Sequence, residues 1–215
     1  MRDRCLITVW TFRTDLPERE LACLADLLDD RERARAGVLV FPDSRRRFTG
    51  SHGGVRVILG RYLDLDPRAL RWEYGPHGKP SLVPPLAEVS ISHSGDVTML
   101  AACARRPVGI DVERLPDGRD ALRIARRFYP AREARFVADG AGPDGQADRF
   151  TGLWVRKEAC VKVPGGRLLP GLAEDMRRPP HWVRDVAAPP GFRAAVAAKG
   201  RPTAEILQLD TAILR

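Results

Sequence analysis

Residues 89–113 have the sequence VSISHSGDVTMLAACARRPVGIDVE, in which three apolar runs follow one another. Gly95-Asp96 joins the first two runs, and a Gly-Asp pair between two β-type runs favours a hairpin. Arg105-Arg106-Pro107 is a turn signal before the third run. The stretch therefore predicts three consecutive strands, with a joint between two halves of the chain near residue 107.

Apolar spacing predicts helices and short strands on both sides of that joint. Before it, we expect a strand at 6–12, helices at about 17–36 and 43–63, and a strand broken by a turn at 71–82. After it, we expect helices at 120–128, 131–138 and 148–162, a loop at 140–145, an irregular segment at 164–190, and closing strands at 192–198 and 205–209. This pattern predicts an α+β protein whose two lobes, 1–107 and 108–215, pack tightly as one unit.

The length and composition are those of a globular protein. The chain has 215 residues, of which 44% are hydrophobic and 30% are charged. It contains no run of about 20 apolar residues, which a membrane span needs, and its N-terminal residues lack the features of a signal peptide. The four cysteines are widely spaced, so we expect free thiols in a cytoplasmic protein.

The formal net charge of +8 favours an anionic partner. Nucleic acid, an anionic small molecule and an acidic protein all meet that condition. Charge alone does not choose among them, because much of the excess is arginine in a chain that is rich in arginine throughout.

Asp111 and Glu113 are two residues apart on the predicted third strand, so their side chains point to the same face. Two carboxylates on one face repel each other unless a cation lies between them. Oxygen ligands without histidine suit Mg²⁺ or Mn²⁺. The alternative interpretation is a solvated polar strand face.

The predicted helix at 148–162 carries a lysine in its apolar stripe. At helical spacing, Lys157 falls in the middle of the stripe that contains Trp154, and Glu158 and Lys162 lie four residues apart on its flank. These residues would supply a third carboxylate beside two ammonium groups that bind phosphate. Alternatively, Lys157 reaches water along its own stem, and Glu158 and Lys162 form an ordinary surface pair.

Two short motifs before this helix also point to phosphate. The run Ser90-Ile-Ser-His-Ser94 places a histidine between serines at a strand end, and Gly78-Lys79-Pro80 presents a lysine on a stiff turn. A capped turn explains the serine run equally well. The arginines near residues 33–47 are expected to form a solvated basic face.

The order of these motifs along the chain is more specific than any one of them. Gly-Lys-Pro comes first, followed by Ser-x-Ser-His-Ser, Gly-Ile-Asp-Val-Glu and Trp-x-x-Lys-Glu-Ala-x-x-Lys. This series resembles the 4'-phosphopantetheinyl transferases, specifically the type that activates surfactin synthetase. The resemblance spans roughly residues 31–171.

The resemblance implies two pseudo-symmetric α+β lobes with coenzyme A bound in the cleft between them. It also implies that Mg²⁺, with Mn²⁺ as an alternative, is held by Asp111, Glu113 and Glu158. The coenzyme A contacts that it implies are Arg35, Arg47, Lys79, Pro80, Ser92, His93, Lys157 and Lys162. Glu32 departs from the pattern, because it stands where some relatives carry another basic residue.

The implied reaction is attack by a carrier-protein serine on the phosphorus that bears the pantetheine arm, with 3',5'-ADP as the leaving group. We expect Glu158 to take the serine proton, with Asp111 as the alternative base. Lys162 would stabilise charge on the leaving group.

Carrier proteins of this class are typically acidic, so a basic surface would attract them. The candidate docking surface is the segment 119–139, in which Phe128, Tyr129 and Phe136 lie among arginines. The alternative for this segment is a pair of amphipathic core helices. Because one chain supplies both walls of the cleft, we expect a monomer. We expect neither nucleic acid nor a membrane as a partner.

Two rival functions follow from the charge and the carboxylates. A basic nucleic-acid-binding module is one, although the sequence has no aromatic-rich RNA-binding motif and no zinc-finger spacing. A metal-dependent nuclease is the other. Neither rival explains the Gly-Lys-Pro and Ser-x-Ser-His-Ser motifs together.

Overall fold

The computed structural model describes residues 6–201 and 206–210. The strands are β1 (Ile7–Arg13), β2 (Trp72–Tyr74), β3 (Pro80–Leu82), β4 (Glu88–Ser94), β5 (Val97–Cys103), β6 (Val108–Arg114), β7 (Trp182–Val186), β8 (Phe192–Ala198) and β9 (Ile206–Asp210). The helices are α1 (Glu18–Ala25), α2 (Asp30–Gly37), α3 (Pro42–Leu63), α4 (Gly118–Phe128), α5 (Ala131–Ala138), α6 (Gly142–Lys162) and α7 (Leu168–Leu172), with a 3₁₀ turn at Pro67–Ala69. Within the described ranges, no helix combines the length and apolar character that crossing a membrane requires.

Two β-sheets pack against each other at the centre of the molecule, and a long helix covers the outer face of each. Alternation along the strands produces this arrangement, because successive side chains point to opposite faces of a sheet. In β1, Val9 belongs to the core between the sheets, whereas Phe12 packs in the cluster beneath α3. In β8, Val196 faces the same central core and Ala197 packs against α6. The α+β prediction is therefore confirmed, and both halves share one central core.

The first sheet has the strand order β4-β5-β1-β9 and the second has the order β6-β8-β7, while β2 and β3 form a separate ribbon. The pairings within these sheets are antiparallel except that of β1 with β9, which is parallel. β9 thus adds a segment from the end of the chain to the N-terminal sheet. This differs from the assignment of all of 108–215 to the second lobe.

A row of serine hydroxyls joins the edges of the two sheets where β4 runs beside β6. The backbone N–H groups of Ile110, Val112 and Arg114 donate to the hydroxyl oxygens of Ser90, Ser92 and Ser94, at 3.1, 3.4 and 3.1 Å. Because alternate residues of β6 pair with β8 on its other side, these hydroxyls satisfy N–H groups that face β4 and otherwise lack a carbonyl partner. The serine run is thus a structural joint as well as a candidate phosphate site.

Close contact between β6 and α6 depends on a glycine. A Cβ atom at Gly109 would lie 2.0 Å from the carbonyl oxygen of Ala159 in α6, which is far inside van der Waals contact. The small side chain therefore lets the helix that carries Glu158 and Lys162 lie directly against the strand that carries Asp111.

Three predicted elements differ from the structure. The helix expected at 17–36 is split into α1 and α2, because Asp29 starts a new helix with a capping box in which its side chain accepts from Glu32 N at 2.9 Å. The loop expected at 140–145 contains the first turn of α6, which begins at Gly142. The segment expected to be irregular at 164–190 contains α7 and β7.

The cysteines also differ in part from expectation. Cys103 is disulfide-bonded, whereas Cys23 and Cys160 are free thiols. Cys5 lies outside the described residues. Wide spacing in the sequence did not reveal the disulfide, because bonding depends on distance in the fold and not along the chain.

Lys157 lies in a buried cluster formed by α4, α5 and α6. Its side chain is 0% exposed, and its ammonium lies 2.6 Å from Glu133 Oε2 and 4.8 Å from the centre of the Tyr129 ring. It also donates a hydrogen bond to the carbonyl of Glu174. This placement corrects the expectation that Lys157 contacts coenzyme A, because the Lys157 ammonium is buried and already has Glu133 and the Glu174 carbonyl as partners.

Breaking the Lys157–Glu133 pair should destabilise the protein strongly. Lys157→Met leaves the Glu133 carboxylate buried without its cation, and we expect a loss of about 3–5 kcal/mol in the free energy of unfolding. Urea unfolding followed by circular dichroism measures it.

The matched control is the double variant Lys157→Met/Glu133→Gln. It removes both charges, while the amide oxygen of glutamine still accepts from Met176 N, which donates to Glu133 Oε1 at 2.7 Å. We expect it to recover a large part of the lost stability. An exposed ion pair contributes at most about 1 kcal/mol to the free energy of unfolding. A loss below that value in the single variant would contradict the assignment of Lys157 and Glu133 as a buried pair.

Candidate active site

A cleft of about 310 Å³ lies between the two halves of the chain. The first half supplies Glu32, His52, Val55, Trp72, Tyr74, Gly78, Pro80, Ile91, Ser92 and His93, and the second half supplies Asp111, Glu113, Glu158 and Lys162. Its size is at the lower end of the range for small-molecule sites, about 300–1,000 Å³. One wall is largely aromatic and apolar, and the opposite wall is charged.

The charged wall is built from neighbouring side chains of β6 and α6. Asp111 is 2% exposed, and its Oδ1 atom accepts hydrogen bonds from Ser92 Oγ at 2.8 Å and from Lys162 Nζ at 2.7 Å. Lys162 Nζ also lies 3.0 Å from Ser92 Oγ. Glu113 accepts from Ser94 Oγ at 2.7 Å. The strand and helix predicted to carry the chemistry are therefore adjacent in space.

Glu158 faces the same cleft and differs from the other two carboxylates in its hydrogen bonding. Burial, followed by the nearby charge of Asp111, raises its pKa to about 7, although Lys162 lowers it. Burial is also the main cause of a raised pKa at Glu113, although the Ser94 hydrogen bond opposes it. Within the described chain no group donates a hydrogen bond to the Glu158 carboxylate, which leaves it open to a ligand or a proton.

The donor chemistry of this wall fits a hard divalent cation. Asp111 Oδ2 is buried and has no hydrogen-bond partner among the described residues, and such an orphaned oxygen is costly unless a ligand satisfies it. All three acidic groups offer oxygen, which Mg²⁺ and Mn²⁺ prefer. Across residues 6–201 and 206–210, no three acidic, histidine or cysteine side chains already converge on a single cation position. Binding would therefore require these side chains to turn toward the ion, and Asp111 could offer Oδ2 while Oδ1 keeps its bonds to Ser92 and Lys162.

The opposite wall includes residues that the sequence did not single out as site residues. Trp72 and Tyr74 alternate on β2, so both reach the cleft, and Arg31 lies over the Tyr74 ring at 4.0 Å. His52 Nδ1 lies 3.1 Å from Glu32 Oε1. The signal for the aromatic pair was the period of two in Trp72-Glu-Tyr74, which places alternate residues of a strand on one face.

Glu32, which departs from the pattern of the resemblance, has a structural role. Its Oε2 atom accepts from Arg56 Nε at 2.6 Å, and Arg56 is 0% exposed. Burial alone would raise the pKa of Glu32, but the hydrogen bond with His52 and the charge of Arg56 outweigh it and hold the pKa below its usual value. Its carboxylate therefore neutralises a buried arginine and holds His52 at the edge of the cleft.

The structure brings together four of the residues expected to contact coenzyme A, namely Pro80, Ser92, His93 and Lys162. Lys79 lies next to Pro80 in the sequence but does not line the cleft. Its ammonium donates to the carbonyls of Val108 at 3.1 Å and Val163 at 2.7 Å. Burial also lowers the pKa of Lys79. Lys79 therefore links the two halves of the chain, which differs from the expected contact with the adenosine end.

Arg35 and Arg47 are exposed on α2 and α3, and neither lines the cleft. Their contact with coenzyme A stays a prediction.

Comparisons with known proteins all point to one family. Residues 107–190 match the model of the 4'-phosphopantetheinyl transferase superfamily. The chain is 37% identical over 164 residues to the 4'-phosphopantetheinyl transferase HetI of Nostoc sp., an alignment that covers 74% of this chain and 68% of that protein. It is 30% identical to the 4'-phosphopantetheinyl transferase Sfp of Bacillus subtilis, over 67% of this chain and 70% of Sfp.

A shorter alignment, with 34% identity, relates the chain to the 4'-phosphopantetheinyl transferase AcpT of Escherichia coli and covers 52% of this chain and 55% of AcpT. The matched family region contains Asp111, Glu113, Glu158 and Lys162, the charged wall of the cleft. The chain therefore belongs to the 4'-phosphopantetheinyl transferase superfamily, whose members transfer the phosphopantetheine group from coenzyme A to carrier proteins.

Proposed function

We propose that this chain transfers the 4'-phosphopantetheine arm of coenzyme A to a serine of an acidic acyl or peptidyl carrier protein, with Mg²⁺ held by Asp111, Glu113 and Glu158. The observation that carries the proposal is the single cleft in which these carboxylates and Lys162 face His93 and Pro80. A polyanionic substrate needs positive charge in a partly enclosed site, and the cation and Lys162 provide it.

Each wall of the cleft has a separate task in binding. Pro80 and Tyr74 offer flat, partly apolar surfaces beside His93, which suits a nucleotide end with a phosphate. Lys162 and the carboxylates lie on the opposite wall, where the pyrophosphate would be held. When bound, the metal ion neutralises charge on the pyrophosphate oxygens.

The reaction requires one bond to form and one to break. The carrier serine oxygen attacks the phosphorus that bears the pantetheine, and the bond from that phosphorus to the bridging oxygen breaks, so that 3',5'-ADP leaves with the electron pair. Glu158 takes the serine proton. Lys162, whose ammonium lies at the cleft, stabilises the negative charge on the departing phosphate.

Glu158 suits the role of base better than Asp111. The Glu158 carboxylate lines the cleft and accepts no hydrogen bond from the described residues, so it is free to take a proton. Asp111 is almost fully buried, and its Oδ1 already accepts from Ser92 and Lys162. Its position suits a ligand for the cation.

Transfer should be visible as a mass change on an apo carrier protein. Incubation with coenzyme A and Mg²⁺ should add one phosphopantetheine to the carrier serine, and EDTA should abolish the addition until Mg²⁺ or Mn²⁺ is restored. Glu158→Gln should lower kcat by about 10²–10⁴-fold, because it removes the proton acceptor. Intact mass spectrometry follows the modified fraction with time.

The control is Glu73→Gln, the same change on the exposed side of β2 and outside the cleft, which should transfer at the wild-type rate. If a monomer acts alone, the rate will be proportional to enzyme concentration and the active species will have the 23.9 kDa mass of one chain. Full activity in EDTA, or in Glu158→Gln, contradicts the proposed mechanism.

We place the carrier docking surface on α4. A groove there is lined by Leu122, Ile124, Phe128 and Gln146 together with the arginines Arg119, Arg123, Arg126 and Arg127. An apolar floor with a basic rim complements an acidic helix of a carrier protein. Tyr129, which the sequence placed on this surface, is buried against Phe150 at a ring distance of 5.4 Å, so it supports the helix from within.

Charge reversal on α4 should weaken carrier binding without affecting coenzyme A. Arg119→Glu/Arg126→Glu is expected to raise KM for the carrier about tenfold, equivalent to 1.4 kcal/mol, because repulsion replaces attraction at the rim. Increasing salt should raise KM of the wild-type enzyme and have a smaller effect on the variant. Steady-state kinetics with each substrate varied in turn separates the two KM values.

Arg61→Glu/Arg68→Glu is the matched control, because both arginines are exposed on the N-terminal half and the change in net charge is the same. An equal rise in carrier KM for the two double variants would show that net charge matters and the α4 surface does not.

A further inference from the structure

The three serines of β4 hold β6 in the same way but differ in what they do with their own proton. Each hydroxyl oxygen accepts one backbone N–H of β6, from Ile110, Val112 or Arg114. A serine hydroxyl has one proton to donate in return. A serine whose hydroxyl donates to a carboxylate of the cleft can orient that carboxylate, whereas a serine that only accepts the β6 N–H is purely structural.

Ser92 and Ser94 donate to the acidic residues of the cleft. Ser92 Oγ lies 2.8 Å from Asp111 Oδ1, and Ser94 Oγ lies 2.7 Å from Glu113 Oε2. Ser90 has no such partner among the hydrogen bonds of the described chain, and it only accepts from Ile110 N at 3.1 Å.

The two carboxylates are not held equally. Asp111 Oδ1 is fixed by Lys162 Nζ as well as by Ser92, and its side chain is almost fully buried. Glu113 has a longer side chain, is only partly buried, and accepts a side-chain hydrogen bond from Ser94 alone among the described residues. A carboxylate on a flexible stem gains most from a single fixed donor, because that donor removes rotamer freedom before a ligand arrives.

We propose that Ser94 is a positioning residue that fixes the Glu113 carboxylate for the divalent cation while its oxygen ties β6 to β4. The proposal rests on the cation site of the proposed function. In this arrangement one oxygen of Glu113 accepts the serine proton and the other is left for the metal. The joint between the two halves of the chain therefore also sets the geometry of the cation site.

The test measures Mn²⁺ affinity in the presence of coenzyme A, by calorimetry or by the paramagnetic resonance signal of free Mn²⁺. Ser94→Ala should weaken Mn²⁺ binding about 10–100-fold, the usual effect of removing a partner that orients a metal ligand. Ser94→Thr keeps the hydroxyl and should restore binding to near the wild-type value. In transfer assays, the Mg²⁺ concentration for half-maximal rate should rise in Ser94→Ala while kcat at saturating Mg²⁺ changes little.

Ser90→Ala is the matched control, because it removes the same kind of strand joint without a carboxylate partner. It should lower the melting temperature but leave Mn²⁺ affinity within about twofold of wild type, since no metal ligand loses a donor. If Ser94→Ala does not fold, Ser94→Cys keeps the side-chain size with a weaker donor and should still weaken Mn²⁺ binding.

Wild-type Mn²⁺ affinity in Ser94→Ala, or in Ser94→Cys if the alanine variant does not fold, overturns the positioning role and leaves the proposed function intact. Equal losses in Ser90→Ala and Ser94→Ala also overturn it, because both would then act through the strand joint. Absence of Mn²⁺ binding by the wild-type protein overturns the cation site itself, and the positioning role with it.

Discussion

The row of serine hydroxyls between β4 and β6 is the interaction on which the rest of the structure depends. Ser90, Ser92 and Ser94 accept the N–H groups that β6 presents toward β4, and so they join two sheets that are not part of one hydrogen-bonded ladder. Each unsatisfied buried N–H would cost about 1–3 kcal/mol. Because the joint lies at the cleft, the same side chains that hold the halves together also contact the carboxylates that line it.

The charged wall follows from this joint and from the close packing of α6. Gly109 lets α6 lie against β6, which brings Lys162 to Asp111 and places Glu158 beside both. Three carboxylates lie near one lysine, and burial, followed by the charges of Asp111 and Glu113, raises the pKa of Glu158. Mg²⁺ would relieve the repulsion among these carboxylates, so the electrostatics of this chain support the cation of the proposed function.

Much of this was predictable from the sequence, where short-range patterns decide the outcome. The strands at 89–113, the long helices α3 and α6, and the shared face of Asp111 and Glu113 follow from periodicity and turn residues. The surroundings of Lys157 and Lys79 were not predictable, because they depend on residues distant in the sequence. Lys157 pairs with the buried Glu133, and the ammonium of Lys79 donates to the carbonyls of Val108 and Val163. The return of β9 to the first sheet and the disulfide at Cys103 depend on long-range contacts in the same way.

In the proposed site, one cation lies between β6 and α6 and is held by oxygen atoms of both elements. The most direct measurement is a crystal structure of the protein with coenzyme A and Mn²⁺, with anomalous differences recorded at the manganese edge. We expect one anomalous peak in the cleft, with Asp111, Glu113 and Glu158 as its protein ligands and the coenzyme A pyrophosphate on its open side. Bound coenzyme A without a peak at these carboxylates, or a peak held by other residues, would contradict the proposed cation site.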